Sequence, residues 1–377
     1  MELKSNKLFG LFSGLLVTAI TVSPAQTLKT LATSRGINFG AAVTSGTRSA
    51  EYNRVLSTEF NAMVAENAMK MQSTEPTQGN FTFGTADALT TFAEQNSMKM
   101  RGHCLVWHSQ AGWYATSTLS RVQMLAALKN HILTVAGRYR GRVYEWDVVN
   151  EAVDDNGSQL RQSFWIQRIG NDFIDSAFVW ARQADPTAWL VYNDYGAEGM
   201  NAKSNYVYTL VSGLKSRGVP INGVGLQSHF TNTVDTANIA RNMSRIEALG
   251  LNVSITELDI GIASTSQANL DAQKAAYKAY MTLCLRHPGC KTFITWGLND
   301  AGSWRGAAVA PLLFTGTTTI TPKPAYFGVQ EALLAATGIR MENGRMKSVR
   351  ALGYGPTAIR IGGAVFNTLG RKVPMDQ

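Results

Sequence analysis

The chain has 377 residues, 45% of them hydrophobic, and carries a formal net charge of +9 at pH 7. That length and apolar content are sufficient for a large core, in one large barrel or in two medium domains. The lysines and arginines are scattered outside the C-terminal segment 339–377, and no nucleic-acid-binding motif is present. The charge therefore does not indicate a nucleic-acid partner.

Residues 1–25 are predicted to be a secretory signal peptide. Lys4 and Lys7 form a basic start, and Leu8–Val22 forms an apolar centre. Ser23-Pro24-Ala25 supplies the small residues of a cleavage site, so we expect cleavage after Ala25. The alternative is a membrane anchor, but the apolar run is short and is interrupted by Ser and Thr. We expect the mature protein to be secreted, extracellular or periplasmic, and free of the membrane.

Strand-like and helix-like segments alternate along the mature chain. The eight predicted strands are Asn38–Val43, Ala62–Asn67, Lys99–Trp107, Arg142–Glu151, Trp189–Tyr195, Gly223–His229, Leu251–Ile260 and Lys291–Leu298. The predicted helices are Leu119–Tyr139, Trp165–Ala184, Ala202–Arg217, Asp235–Leu249 and Ala268–Leu285. Apolar residues recur every three or four positions in the first of these helices, and Ser117 or Thr118 is its expected N-cap.

This alternation predicts a parallel sheet with right-handed crossovers. Eight such units predict a closed (β/α)8 barrel, which we assign to residues 26–338 as a single catalytic domain. The alternative is an open doubly wound sheet. Against it, no glycine-rich phosphate loop follows the first strand, since Gly40-Ala41-Ala42 is not a G-x-G-x-x-G sequence.

Seven of the eight predicted strands end in polar or aromatic residues, at the edge where barrels of this kind place their active sites. These ends are Glu66-Asn67, His103 to Trp107-His108, Asn150-Glu151, Asn193-Asp194-Tyr195, Gln227-Ser228-His229, Glu257 with Asp259, and Trp296. A barrel with a purely structural role would not need so many. We predict a polar cleft with aromatic surfaces.

Glu151 and Glu257, on the fourth and seventh predicted strands, are the candidate catalytic pair. Two carboxyl groups facing one cleft can cut a glycosidic bond if one donates a proton and the other stays ionised. Glu151 follows a largely apolar run of strand residues and is the predicted acid/base. Glu257 has His229 on the preceding strand and Asp259 two positions later, and it is the predicted nucleophile. The alternative is that each glutamate caps a loop or pairs with an arginine.

Aromatic rings suit the apolar faces of sugars, and the candidates here are Trp107, Tyr195, Trp296 and Trp304. The five histidines are His103, His108, His131, His229 and His287. They show no HExxH or similar spacing, so we expect no metal and no cofactor. Cys284 and Cys290 flank a turn-forming His287-Pro288-Gly289 and could form a small disulfide loop in an exported protein, whereas Cys104 is expected to be a buried free thiol.

Over roughly residues 28–336 the chain resembles glycoside hydrolase family 10, the endo-β-1,4-xylanases. The segments that carry the resemblance, in the family's order, are AENAMK (65–70), TEPTQGNFTF (74–83), RGHCLVWHSQ (101–110), WDVVNEA (146–152), NDY (193–195), GLQSH (225–229), ITELDI (255–260) and ITWGLNDAGSW (294–304). A single NE dipeptide would be weak evidence, but this ordered set is strong.

The resemblance implies roles for individual residues. Glu151 resembles the family's acid/base, Asn150 its partner at the substrate 2-hydroxyl, and Glu257 the nucleophile, with His229 and Asp259 in support. Tyr195 resembles the platform on the leaving-group side. The predicted subsites on the other side of the cleft contain Glu66, Asn67, Lys70, His103 and Trp107. Trp296 and Trp304 resemble the aromatic walls there, which favour xylose over glucose. Gln227 of the GLQSH segment is also expected to bind substrate. Cys284 and Cys290 match a disulfide of many members.

The predicted function is hydrolysis of internal β-1,4-xylosidic bonds of xylan with retention of configuration, by a monomer that binds xylan and xylo-oligosaccharides. A β-1,4-glucanase on the same barrel is the first alternative, and a carbohydrate-binding barrel without catalysis is the second. Residues 339–377 form a Gly-rich tail with seven basic and two acidic residues. Ala358–Ile361 and Ala364–Phe366 could be strands there, although a disordered tail or an irregular strap is equally compatible with the sequence.

Overall fold

The computed structural model describes residues 26–335, together with the backbone of short strands at 339–342, 345–348, 358–361, 364–367 and 372–373. The predicted signal peptide lies outside the described residues, so that its presence and its cleavage site stay predictions. No helix in the described part of the chain has the length and apolar character needed to cross a bilayer.

Eight parallel strands close into a barrel, as predicted. The strands of residues 26–335 are β1 Asn38–Val43, β2 Ala62–Ala65, β3 Lys99–Trp107, β4 Val143–Asn150, β5 Trp189–Asp194, β6 Gly223–Leu226, β7 His229–Thr231, β8 Asn252–Gly261, β9 Cys290–Thr295, β10 Phe314–Thr315 and β11 Thr321–Pro322. Neighbours in the chain pair from β1 to β6, and β6–β8, β8–β9 and β9–β1 pairs complete the ring. This closure excludes the open doubly wound sheet.

Helices follow the strands and cover the outside of the ring. They are α1 Leu28–Ser34, α2 Ala50–Glu59, α3 Met71–Thr74, α4 Gly84–Gln95, α5 Arg121–Arg138, α6 Phe164–Arg168, α7 Phe173–Ala184, α8 Ala202–Ser216, α9 Thr236–Ala248, α10 Gln267–Arg286 and α11 Pro324–Ala335. Their apolar stripes bury against the strands; in α5 the stripe is Met124, Leu128, Ile132 and Val135.

Three local predictions were wrong in detail. The N-cap of helix α5 is Ser120, whose side chain accepts a hydrogen bond from the N–H of Gln123 in a capping box, rather than Ser117 or Thr118. The predicted helix 165–184 is two helices, because the chain turns between α6 and α7 at Gly170 with φ near +100°. The sixth predicted strand is also interrupted: Ser228 adopts φ +71° between β6 and β7.

Strand β7 has a specific consequence for side-chain placement. It pairs in parallel with the end of β8, so that His229 lies opposite Asp259. At the same rim, Trp107 of β3 lies level with Asn150 of β4, and Asn150 lies level with Asn193 of β5. The barrel closure therefore brings residues from distant sequence positions to one edge.

The lumen of the barrel contains a buried ionic cluster centred on Arg101 of β3. Arg101 Nε donates to Glu145 Oε1 over 2.6 Å, Nη1 donates to Asp147 Oδ2 over 2.7 Å, and Nη2 donates to Asp147 Oδ1. Burial alone would lower the pKa of Arg101, but the charges of Asp147 and Glu145 raise it. Glu145 Oε2 also accepts hydroxyl hydrogen bonds from Ser254 of β8 and Thr292 of β9, so that the cluster links four strands.

The cysteine predictions are confirmed. Cys284 near the end of α10 and Cys290 at the start of β9 form a disulfide, with Cα atoms 5.3 Å apart. Cys104 of β3 is a buried free thiol.

The C-terminal tail contains the predicted strands. β12 Ile339–Glu342 and β13 Arg345–Ser348 form an antiparallel pair. β14 Ala358–Ile361, β15 Ala364–Asn367 and β16 Lys372–Val373 form a three-stranded antiparallel sheet. The domain boundary at residue 338 and the role of the tail stay predictions.

We predict that the Arg101→Met substitution lowers the free energy of unfolding by about 3–5 kcal/mol, because Glu145 and Asp147 would be left as buried charges without their cation. Urea unfolding measures this effect. The matched control is Arg217→Met: Arg217 forms a two-pronged pair with Asp175, but its side chain is 52% exposed, and we expect a loss of about 1 kcal/mol or less. Equal losses for the two variants would contradict a central role of the buried cluster.

Candidate active site

A cleft of about 520 Å³ opens at the C-terminal ends of the barrel strands. Both candidate glutamates and every predicted substrate-binding residue line it. Its lining residues are Glu66, Asn67, Lys70, His103, Trp107, Gln110, Asn150, Glu151, Tyr195, Gly196, Glu198, Gln227, His229, Phe230, Glu257, Trp296 and Trp304. Asp259 lies behind His229.

A second cavity, of about 570 Å³, lies at the opposite end of the barrel, where the strands begin. Its one carboxylate is Glu94, which is paired with Arg142. A carboxylate pair that faces a common space occurs in the C-terminal cleft, which is therefore the candidate active site.

Glu151 follows the last residue of β4 and adopts a left-handed backbone conformation, with φ +56°. Its N–H donates to the carbonyl of Asn193 over 2.9 Å, which holds the residue against β5. In the side chain, Oε2 accepts a 2.7 Å hydrogen bond from Trp107 Nε1, and Oε1 accepts a 2.8 Å hydrogen bond from Gln227 Nε2. The carboxylate is thereby fixed at two oxygens and faces the cleft.

Glu257 lies within β8 and is 4% exposed. Its N–H donates to the carbonyl of Gln227 over 3.0 Å, and its Oε1 accepts a 2.8 Å hydrogen bond from Asn193 Nδ2. His229 Nε2 lies 3.5 Å from Glu257 Oε2, and His103 Nδ1 lies 3.9 Å from Oε1. Glu257 is more enclosed than Glu151 and is surrounded by nitrogen atoms.

His229 is held between two carboxylates. Its Nδ1 lies 2.9 Å from Asp259 Oδ2, and its Nε2 faces Glu257. Burial would lower the pKa of His229, but hydrogen bonds to Asp259 and Glu257 and the charges of both raise it to about 10. The ring is therefore an imidazolium at neutral pH, and it places a positive charge next to Glu257.

Asp259 receives further hydrogen bonds from the loop after β9. Trp304 Nε1 donates to Oδ2 over 2.8 Å, and Arg305 Nη1 donates to Oδ1 over 2.8 Å. The ring of Trp304 is 59% exposed at the cleft edge, whereas Trp296 is buried and its ring lies 5.1 Å from that of His103. Trp296 thus forms part of the cleft wall, and Trp304 projects into solvent at the cleft edge.

Three side-chain amides connect the two glutamates. Asn193 Nδ2 donates both to Glu257 Oε1 and to Asn150 Oδ1, over 2.8 Å in each case. Gln227 Nε2 donates to Glu151 Oε1 and lies 3.4 Å from Asn150 Oδ1. The buried Asn150 Nδ2 has no partner among the described residues, and this donor is available to a ligand in the cleft.

The side of the cleft lined by Glu66, Asn67, Lys70 and Trp107 is charged. Lys70 Nζ donates to Asn67 Oδ1 over 2.9 Å and lies 5.0 Å from the centre of the Trp107 ring. Burial raises the pKa of Glu66 despite the opposing effects of Lys70 and Asn67. This side can offer both donors and acceptors to hydroxyl groups.

One group of potential metal ligands occurs among the described residues: His103, Asp147 and Glu257 have ligand atoms within 4.8 Å of one another. Both oxygens of Asp147 are already bound by Arg101, and Oδ2 also faces His103. Burial would raise the pKa of Asp147, but Arg101 and His103 lower it. We therefore assign this group to the ionic chain that joins the lumen to the cleft.

Sequence reasoning missed several residues that build the site. Asn193 was placed at the cleft edge without a role, and Arg101 was missed, because the partners of both are set by barrel closure. Gln110 is the last residue of the RGHCLVWHSQ segment, whereas Glu198 and Phe230 follow the NDY and GLQSH segments; all three line the cleft. Arg305 directly follows the ITWGLNDAGSW segment, and its position after Trp304 was the one available signal.

Comparisons with known proteins agree with this geometry. The family model for glycosyl hydrolase family 10 matches residues 27–332. Endo-1,4-beta-xylanase B of Thermotoga neapolitana is 37% identical over 294 residues, which are 75% of this chain and 83% of that protein. Exoglucanase XynX of Acetivibrio thermocellus is 39% identical over 316 residues, which are 79% of this chain and 28% of that protein. The crystal structure of xylanase 10B from Thermotoga petrophila in complex with xylobiose matches with a TM-score of 0.80 and 36% identity, over 83% of this chain and 99% of that one.

We predict that His229 makes the stability of the protein depend on pH. Its pKa is about 10 in the folded protein and about 6.5 in an unfolded chain. The contribution of His229 to the free energy of unfolding is therefore complete below about pH 6.5 and is lost as the pH rises towards 10. Urea unfolding should show that the parent loses stability relative to His229→Gln across this interval. Parallel pH curves for the two proteins would contradict the assignment of His229 as a cation.

Proposed function

Because this chain belongs to glycosyl hydrolase family 10 and is an endo-1,4-β-xylanase, we propose that it cuts internal bonds of xylan by double displacement, with Glu257 as nucleophile and Glu151 as acid/base. The observation that carries this proposal is the chain of amides across the cleft. Asn193 and Gln227 each bind one glutamate and face Asn150 between them. Two carboxylates held from opposite sides of one bound sugar are the arrangement that such a reaction needs.

The role of Glu257 is supported by its surroundings. It is enclosed, its Oε1 is fixed by Asn193, and the His229 imidazolium stabilises negative charge on it. The other oxygen faces His229 at 3.5 Å and is not tightly bound there. In the first step this carboxylate attacks the anomeric carbon, and a covalent glycosyl-enzyme forms as the glycosidic C–O bond breaks.

The role of Glu151 is supported by its place at the rim, near Tyr195. In the first step its proton passes to the glycosidic oxygen that leaves. In the second step Glu151 takes a proton from water as the water oxygen attacks the anomeric carbon, and Glu257 is released. The hydrogen bonds from Trp107 and Gln227 keep the carboxyl group in place for both transfers.

The substrate assignment is supported by the shape of the glycone side, which is the part of the cleft opposite the leaving-group platform Tyr195. Trp296 and Trp304 border this part of the cleft, and they would crowd the 6-hydroxymethyl group that glucose has and xylose lacks. The free Nδ2 of Asn150 lies beside both glutamates, where it can donate to the 2-hydroxyl of the reacting sugar. Gains from such a bond in the transition state are part of glycosidase catalysis.

Retention of configuration is part of the same proposal. A nucleophile that reaches the anomeric carbon directly requires carboxyl groups about 5–5.5 Å apart, whereas inversion requires about 6.5–9.5 Å for an intervening water. Retention is general in glycosyl hydrolase family 10, and membership of this family supports the shorter separation. A β-1,4-glucanase remains the second candidate, since one relative bears the name exoglucanase.

We predict that the protein depolymerises xylan and that the newly formed reducing end of its first products has the β anomeric configuration. A reducing-sugar assay and NMR of early products measure both outcomes, with carboxymethylcellulose as the comparison substrate. The Glu257→Ala variant is the matched control for contaminating activity and should be inactive on both substrates. Faster hydrolysis of carboxymethylcellulose than of xylan would favour the glucanase, α-products would indicate inversion, and an active Glu257→Ala would refute the nucleophile assignment.

We predict that Glu151→Ala loses activity on xylan by about 10²–10⁴-fold, the usual contribution of general acid–base catalysis. The first step on an aryl xylobioside with a dinitrophenolate leaving group should be affected much less, because that group leaves without a proton. Pre-steady-state release of the phenolate measures the first step. Equal losses on both substrates would argue against the acid role.

A further inference from the structure

The backbone at Glu151 is strained. A φ of +56° is unusual for any residue other than glycine, and holding such a conformation costs on the order of 1–3 kcal/mol. The direction of the Glu151 carboxyl group depends on this conformation, because Glu151 comes immediately after the last residue of β4. The peptide group after it must therefore be held by its surroundings.

Arg161 holds that peptide group. Its Nε donates to the Glu151 carbonyl over 3.1 Å, and its Nη2 donates to the Val153 carbonyl over 3.2 Å. The backbone N–H of Arg161 also donates to the Ala152 carbonyl over 2.7 Å. One residue thus satisfies three consecutive carbonyl positions around the strained turn, and most of its side chain is buried.

The same guanidinium contacts the leaving-group platform. Arg161 Nη2 lies 2.7 Å from Asp155 Oδ1 and 3.2 Å from Tyr195 Oη, and the Tyr195 hydroxyl donates to Asp155 Oδ1. Hydrogen bonds from Arg161 and Tyr195 lower the pKa of Asp155 to about 2. The three groups therefore stay connected throughout the neutral and mildly acidic range.

The platform has a second support below it. Lys203 Nζ lies 3.6 Å from the centre of the Tyr195 ring and 2.9 Å from the buried Asp194 Oδ1. The loop between Val153 and Leu160, which pair as a short bridge, packs on the start of α8: a Cβ on Gly157 would lie 2.2 Å from Lys203 N. Tyr195 is thus held at one face of its ring by Lys203 and at its hydroxyl by Asp155 and Arg161.

We propose that Arg161 is a positioning residue that ties the acid/base Glu151 to the Tyr195 platform, so that a sugar bound on the leaving-group side stabilises the orientation of the proton donor. This inference rests on the proposed role of Glu151. Arg161 reaches Glu151 through its carbonyl and touches neither the carboxyl group nor the scissile bond.

The proposal predicts a split between substrates for Arg161→Met. A misplaced proton donor should reduce kcat/KM on xylopentaose on the order of 10²-fold. The first step on dinitrophenyl xylobioside, which needs no proton and has no sugar in the leaving group, should fall much less. The loss on xylopentaose should appear mainly in kcat, because the glycone side keeps its contacts.

The matched control is Arg182→Met. Arg182 also donates to three backbone carbonyls, those of Asp185, Pro186 and Ala188, but it lies where β5 begins, at the far end of the barrel. This variant should affect both substrates equally or not at all. Arg161→Lys, which keeps the charge but cannot bridge the carbonyls and Tyr195 together, should show the same split as Arg161→Met and serves if the latter does not fold.

The outcomes separate this inference from the proposed function. Equal losses on the two substrates for both Arg161 variants, or no loss on either, would overturn the positioning role. If Glu151→Ala itself shows no split, the proposed acid/base assignment fails. If Glu151→Ala shows the split and the Arg161 variants do not, only the role of Arg161 fails.

Discussion

The buried pairing of Arg101 with Glu145 and Asp147 is the interaction on which the rest of the barrel interior depends. Two fully buried carboxylates would be highly unfavourable without a cation between them. Arg101 supplies that cation and is itself held by both. Because Asp147 also faces His103, and His103 lies 3.9 Å from Glu257, the cluster forms a continuous polar column from the lumen to the cleft. Glu257, the proposed nucleophile, lies at the cleft end of this column.

Above this column, neutral amides divide the cleft between the two glutamates. Asn193 belongs to the side of Glu257 and Gln227 to the side of Glu151, and both point at Asn150. Amides fix carboxylates without adding charge, so that the difference between the two glutamates comes from what lies beyond the amides. Glu257 has an imidazolium beside it, whereas Glu151 has the indole N–H of Trp107 and the open rim. One amide donor on each glutamate is therefore compatible with the two different roles that we propose for them.

The strand pattern predicted much of this arrangement, because strands of a closed parallel barrel must end together and polar residues at those ends must meet. It could not predict the partners within the lumen. The register between β3 and β4 shifts by one residue, from Met100 opposite Val143 to Arg101 opposite Glu145, and simple alternation does not reveal that shift. The break at Gly170 and the cap at Ser120 were missed for a related reason: each depends on a local backbone geometry that several neighbouring residues could have adopted. No sequence pattern indicated Arg161, because it binds backbone carbonyl groups, which every residue has.

The disulfide between Cys284 and Cys290 lies where α10 ends and β9 begins, at the end of the barrel opposite the cleft. The six residues of β9 separate it from Trp296 by roughly 20 Å of extended chain. A bridge across so short a loop contributes somewhat less than the about 3 kcal/mol expected for a loop of 15 residues. This part of the stability therefore comes from the end of the barrel away from the cleft, so that the disulfide can be replaced without removing any contact of the cleft residues.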